Sequence, residues 1–233
     1  MVDYIEAIKK PFTDLKKSGL AVLFGLFGMI IFIPYLFNFG YFLECAKNSS
    51  KKELPEWGNY WEKFVRGFFL FLIFFIYAIP LLILLVFLLI KFTTGLIGSG
   101  ERYVETIATG NPVLILNFMT KLFSDLDVRY LVIIGILLGV LILYLIPMAM
   151  LFYITNWQFK DAFELKSIFR KAFTKKYLSA WLIVNIYTSL LGGISTLFGF
   201  IPFFGGAVAV ILSVLGGITI YTIYGNVYRE IKV

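Results

Sequence analysis

Residues 67–90 read GFFLFLIFFIYAIPLLILLVFLLI, with no charge between Arg66 and Lys91. As a helix rising about 1.5 Å per residue, this stretch covers about 36 Å, enough for a hydrocarbon core about 30 Å thick. Unpaired backbone amides are not tolerated in lipid, so the segment must be helical, and an internal proline such as Pro80 is compatible with that. A soluble core could not hide it, because 60% of the 233 residues are hydrophobic, 19% aromatic and only 15% charged. Soluble domains carry about 45–50% apolar and about 25% charged residues.

The same composition recurs on both sides of this stretch. Residues 130–157, 178–198 and 203–227 are three further uncharged apolar runs, and residues 19–43 form another, interrupted by Pro34, Asn38 and Gly40. The expected fold is all-α: a polytopic helical membrane protein, read as a single membrane domain over residues 1–233. Four full transmembrane helices follow an N-terminal segment that either enters and returns as a bent hairpin, broken near Pro34 to Gly40, or makes a fifth span.

Charge favours the hairpin. If 19–43 spans, the strongest basic runs fall on opposite faces of the membrane. If it returns, one face collects all but Lys91, Arg102, Lys121 and Arg129 of the 21 Lys and Arg residues. Loops facing the cytoplasm carry the Lys/Arg excess, so both termini are expected in the cytoplasm of a multi-pass cell-membrane protein. The 92–128 loop, with an apolar piece at 113–119 too short to span, is then the main external feature.

The connectors look interfacial. Residues 2–17 place Ile5, Ile8, Phe12 and Leu15 at helical spacing, and residues 159–173 place Phe159, Ala162, Phe163, Phe169, Ala172 and Phe173 roughly on one face. Both predict amphipathic helices in the headgroup plane. Lys9, Lys10, Lys16, Lys17, Lys51, Lys52, Arg170, Lys171, Lys175 and Lys176 are the candidate contacts to anionic headgroups. Trp57, Trp61, Trp157 and Trp181 are candidate interfacial anchors. In the last two spans Gly192, Gly193, Gly205, Gly206, Gly216 and Gly217 are candidates for close helix packing.

Chemistry-bearing patterns are scarce. The chain has no histidine and one cysteine, Cys45, so no intrachain disulfide, no cysteine metal site and no histidine base is available. The apolar runs contain no ionisable residue; Glu44 comes nearest, at the edge of the first. Proton relays and pumps bury such residues in the membrane. An enzyme is not expected, nor a cofactor, nor a nucleic-acid partner despite a net charge of +7. The expected partners are membrane lipids, anionic headgroups above all, with a homo-oligomer or a membrane-protein partner left open. The rival reading is a passive transporter or channel for an apolar or lipid-like solute, with Asn185, Thr188, Ser189, Ser213, Thr219 and Thr222 as its polar residues.

One segment carries a resemblance. Gly40-Tyr41 closes the first apolar stretch; a basic patch, Glu53-Leu54-Pro55-Glu56-Trp57, Trp61, Phe64 and Gly67 lead into the next. With Asp161-Ala162-Phe163 in the second connector and Tyr224-Gly225-Asn226-Val227-Tyr228-Arg229 near the end, the chain resembles the prokaryotic membrane family catalogued as domain of unknown function 4013. That resemblance covers nearly the whole chain. It implies a multi-pass membrane fold and no particular activity, so it assigns no functional residue.

Overall fold

The computed structural model describes residues 3–98, 126–201 and 204–231, with a few isolated positions between 112 and 124. In chain order the described helices are α1 (Tyr4–Lys9), α2 (Leu15–Gly28), α3 (Ile33–Lys47), α4 (Tyr60–Gly98), α5 (Leu126–Asn156), α6 (Leu165–Ala172), α7 (Lys175–Phe198) and α8 (Phe204–Glu230). Short 3-10 turns occupy Lys10–Phe12 and Phe159–Phe163. Among the described residues, four segments are long and apolar enough to cross a bilayer: Tyr60–Thr94, Asp127–Asn156, Lys175–Phe198 and Phe204–Glu230. The all-α multi-pass architecture is thus the one expected.

The stretch 19–43 is a hairpin. Its arms, α2 and α3, have 14 and 15 residues, short of the roughly 20 needed to span. The break falls at Met29–Phe32, earlier than the expected Pro34 to Gly40. Pro34 lies in the first turn of α3, where its missing N–H costs no hydrogen bond and its fixed φ suits a helix start. Asn38 ties the arms together, its Nδ2 donating to Ala21 O at 3.0 Å. Gly28 leaves room for the Tyr35 ring, which a Cβ would meet at 2.6 Å.

The interfacial helices differ from expectation too. Residues 2–17 are not one helix: α1 stops at Lys9, and Asp14 caps α2 by accepting from Lys17 N at 3.1 Å. Lys16 and Lys17 therefore belong to the hairpin. The run 159–173 divides into the 3-10 turn and α6, because the backbone at Glu164 leaves the helical region. The expected surface piece at 113–119 lies largely outside the described residues, as does the break around Pro202.

The chain forms two compact units, Met1–Phe74 with Tyr144–Val233, and Phe75–Leu143. In the first, α8 is the central post, with α1, α2, α3 and α7 against it. Its core combines Ala21, Tyr41, Phe42 and Cys45 of the hairpin with Val210, Val214 and Ile218 of α8. A Cβ on Gly25 would press on Val210 at 2.8 Å and one on Gly217 on the Phe42 ring at 2.7 Å. Small residues let helices approach where lipid offers no hydrophobic drive to association. The second unit pairs the later part of α4 with the earlier part of α5, with Leu81 and Leu84 against Gly139 and Gly135 and a Lys91–Asp127 ion pair of 2.9 Å.

Candidate functional site

Polar chemistry in the first unit collects at one end. The contacts that hold this end together show which connectors share it. The Lys10 ammonium donates to Asn48 O at 3.0 Å and Ser49 O at 3.3 Å. Lys17 pairs with Glu56 at 2.7 Å and donates to Leu54 O. Lys176 pairs with Glu230 at 3.0 Å, and Arg229 donates to Lys47 O. The N-terminal segment, the 48–59 loop, the start of α7 and the end of α8 are therefore neighbours, as a returning hairpin requires.

Within this end, α3, the 48–59 loop and the first turns of α4 enclose a cavity of about 390 Å³. Glu44 accepts from Arg66 Nη1 at 2.6 Å and from Lys63 Nζ at 2.9 Å. Lys63 also donates to Gly58 O at 2.7 Å, and Arg66 Nη2 reaches Glu62 at 2.7 Å. The Lys63 side chain is only 3% exposed, and Glu44 and the Gly58 carbonyl supply the hydrogen-bond partners that water would otherwise give it. Behind them the Arg66 guanidinium lies 4.1 Å and the Lys47 ammonium 4.7 Å from the Trp157 ring centre. Partial burial, and then the Arg66 charge, lower the Lys47 ammonium below its ordinary value.

The expected headgroup contacts divide. Lys9, Lys16, Lys51, Lys52, Arg170 and Lys175 are exposed and carry no ion pair among the described residues. Lys10 is instead buried, at 3% exposure, and burial pushes its ammonium below the ordinary lysine value. Lys17 is spent on the 48–59 loop and Lys176 on Glu230. Lys171 sits 4.3 Å over the Tyr228 ring.

Trp57 is not a surface anchor. It is buried between Phe24 and Tyr41, stacked at 5.0 and 4.3 Å, with Nε1 donating to Lys17 O at 2.9 Å. Trp61 is exposed, Trp157 lies under the two cations, and Trp181 packs edge-on against Tyr144.

Among the candidate packing glycines, Gly205 faces the Phe198 backbone, Gly206 the Met29 side chain, Gly216 Leu191 and Gly217 Phe42. A Cβ on Gly192 or Gly193 would have nothing within 4 Å among the described residues. The tightest approaches, Gly40 on Lys63 O, Gly67 on Leu36 O and Gly225 on Ala46 O, were missed, since spacing does not reveal which helices cross. Of the charged cluster, only the Glu62–Arg66 pair was legible, through its i,i+4 spacing.

Four of the polar residues named for the last two spans bond to their own helices. Asn185 Nδ2 donates to Trp181 O, and the hydroxyls of Thr188, Thr219 and Thr222 donate to carbonyls one turn back. No group of three metal-ligating side chains occurs among the described residues.

Membrane-length helices, a returning hairpin and a charged end define a multi-pass α-helical membrane protein. The chain belongs to the family described as "Protein of unknown function (DUF4013)", which matches residues 23–221, from the hairpin through most of α8. Searches of curated proteins and of solved structures gave no match.

Proposed function

We propose that this is a non-enzymatic protein of the cell membrane whose basic end lies at the cytoplasmic face and holds anionic lipid headgroups. One observation carries the reading. Two apolar rows are exposed on this end, Ile5, Ile8, Phe12 and Leu15 on one segment and Leu165, Phe169 and Phe173 on another. Each is flanked by exposed cations without an ion-pair partner among the described residues: Lys9 and Lys16 beside the first, Arg170 and Lys175 beside the second. An apolar row bordered by lysines suits the boundary between acyl chains and headgroups. Such cations gain about 1 kcal/mol each near an anionic surface. A passive solute path has less support, because the hydroxyls of Thr188, Thr219 and Thr222 bond to their own helices.

The test is competitive retention of phosphatidylglycerol over phosphatidylcholine by the purified chain, read by native mass spectrometry. Replacing Lys9, Lys16, Arg170 and Lys175 together with Gln should reduce that preference at least tenfold, at about 1 kcal/mol per charge. An unchanged preference would refute the proposal.

A further inference from the structure

We infer that the cavity between α3, the 48–59 loop and α4 is a binding site for a zwitterion of the phosphoethanolamine class, one ammonium joined to one phosphate. The ion pairs within the wall lead to this assignment. Four carboxylates line the cavity, Glu44, Glu53, Glu56 and Glu62, and three cations, Lys51, Lys63 and Arg66. Glu44 is neutralised by Lys63 and Arg66, Glu62 by Arg66, and Glu56 by Lys17 from outside the wall. Lys51 and Glu53 remain, two positions apart in the 48–59 loop and both exposed, with no ion pair among the described residues. The cavity thus offers one positive and one negative group to whatever enters it.

The rest of the lining suits the same ligand. The buried ammonium of Lys63 and the guanidinium of Arg66 are fixed by Glu44, Glu62 and Gly58 O, and each keeps N–H donors beyond those bonds. They would add hydrogen bonds to a phosphate held by Lys51, while Glu53 would take the ammonium. A lone anion would leave Glu53 without a counter-charge, and a lone cation would leave Lys51 without one. The cavity lies within the size range of small-molecule sites, but its wall is polar, which suits a headgroup and not an acyl chain. Exposed Tyr60 and Trp61 begin α4 beside it, the side-chain types that mark headgroup depth.

This site is separate from the lipid contacts proposed above, so the two fail independently. The delipidated full-length chain in detergent is titrated with phosphatidylethanolamine, phosphatidylcholine and phosphatidylglycerol, and separately with free phosphoethanolamine. Occupancy is read by native mass spectrometry. Methylation strips the N–H donors from the ammonium of phosphatidylcholine, so phosphatidylethanolamine should be retained about tenfold better, the scale of charge-assisted hydrogen bonds. Glu53→Gln and Lys51→Gln, both at exposed side chains, should each reduce phosphatidylethanolamine retention several-fold, and Glu53→Gln should leave phosphatidylglycerol unchanged. If free phosphoethanolamine binds with the same sensitivity to both changes, the ligand is a soluble zwitterion; if only the lipid binds so, it is a membrane headgroup. Either result supports the site. Equal retention of the ethanolamine and choline lipids, or an ethanolamine preference that survives both substitutions, would overturn it.

Discussion

Single residues in this protein matter according to what lies against them. Gly40 and Gly67 place α3 and α4 in backbone contact, Gly40 on Lys63 O and Gly67 on Leu36 O. A methyl group there meets a main-chain carbonyl that cannot rotate aside, so Gly40→Ala or Gly67→Ala should cost at least the 1–3 kcal/mol typical of overpacking, by order of magnitude. Gly192→Ala and Gly193→Ala enter open space, and the better helix former should leave stability unchanged or raise it by about 0.5–1 kcal/mol. Thermal denaturation of the four variants in detergent checks the contrast. The Asp14–Lys17–Glu56 clip gives a second prediction. Asp14 lies below its ordinary value of 3.8, chiefly because Lys17 N–H donates to its carboxylate. A carboxylate with a lowered folded pKa stabilises the fold above its unfolded value, and that gain disappears as pH falls. Asn also caps helices well, so the stability gap between the native chain and Asp14→Asn reports mainly the charge. It should be constant near neutral pH and close below about pH 3.8, as followed by melting temperature across an acid series.

At the scale of elements, the sequence announces what the membrane requires and conceals what packing decides. Long uncharged runs have one solution in lipid, so α4, α5, α7 and α8 were readable from composition alone. The hairpin was readable from charge, because only a returning segment gathers the lysines on one face. Its break was misplaced because proline starts a helix as readily as it interrupts one, and Pro34 starts α3. Trp57 was misread for a related reason. Its position beside charged and aromatic residues suits an interfacial anchor, but its partners are Phe24 and Lys17, far back in sequence, and no local pattern reports such a meeting. The same holds for the cavity. Glu44, Lys63 and Arg66 read as separate interfacial charges until the crossing of α3 and α4 brings them together.

At the scale of the molecule, the hairpin joins the N-terminus and the 48–59 loop at one end, whereas the span Tyr60–Thr94 runs from that level across the bilayer. An odd number of crossings therefore separates residue 50 from residue 94, and none separates residue 16 from residue 50. The arrangement can be mapped with little background, because the single cysteine, Cys45, is buried. Cysteines placed at Lys16, Ser50 and Thr94, all exposed, should be modified by a membrane-impermeant maleimide in two classes. Lys16→Cys and Ser50→Cys should react only after intact cells are permeabilised, and Thr94→Cys should react from outside. That polarity is the one proposed above from the Lys/Arg excess on the connectors at the hairpin end. Reaction of residues 16 and 50 from opposite faces would contradict the hairpin itself. If they share a face that reacts from outside, the hairpin stands but the basic end faces away from the cytoplasm, and an inner-leaflet anionic surface could not be what it binds.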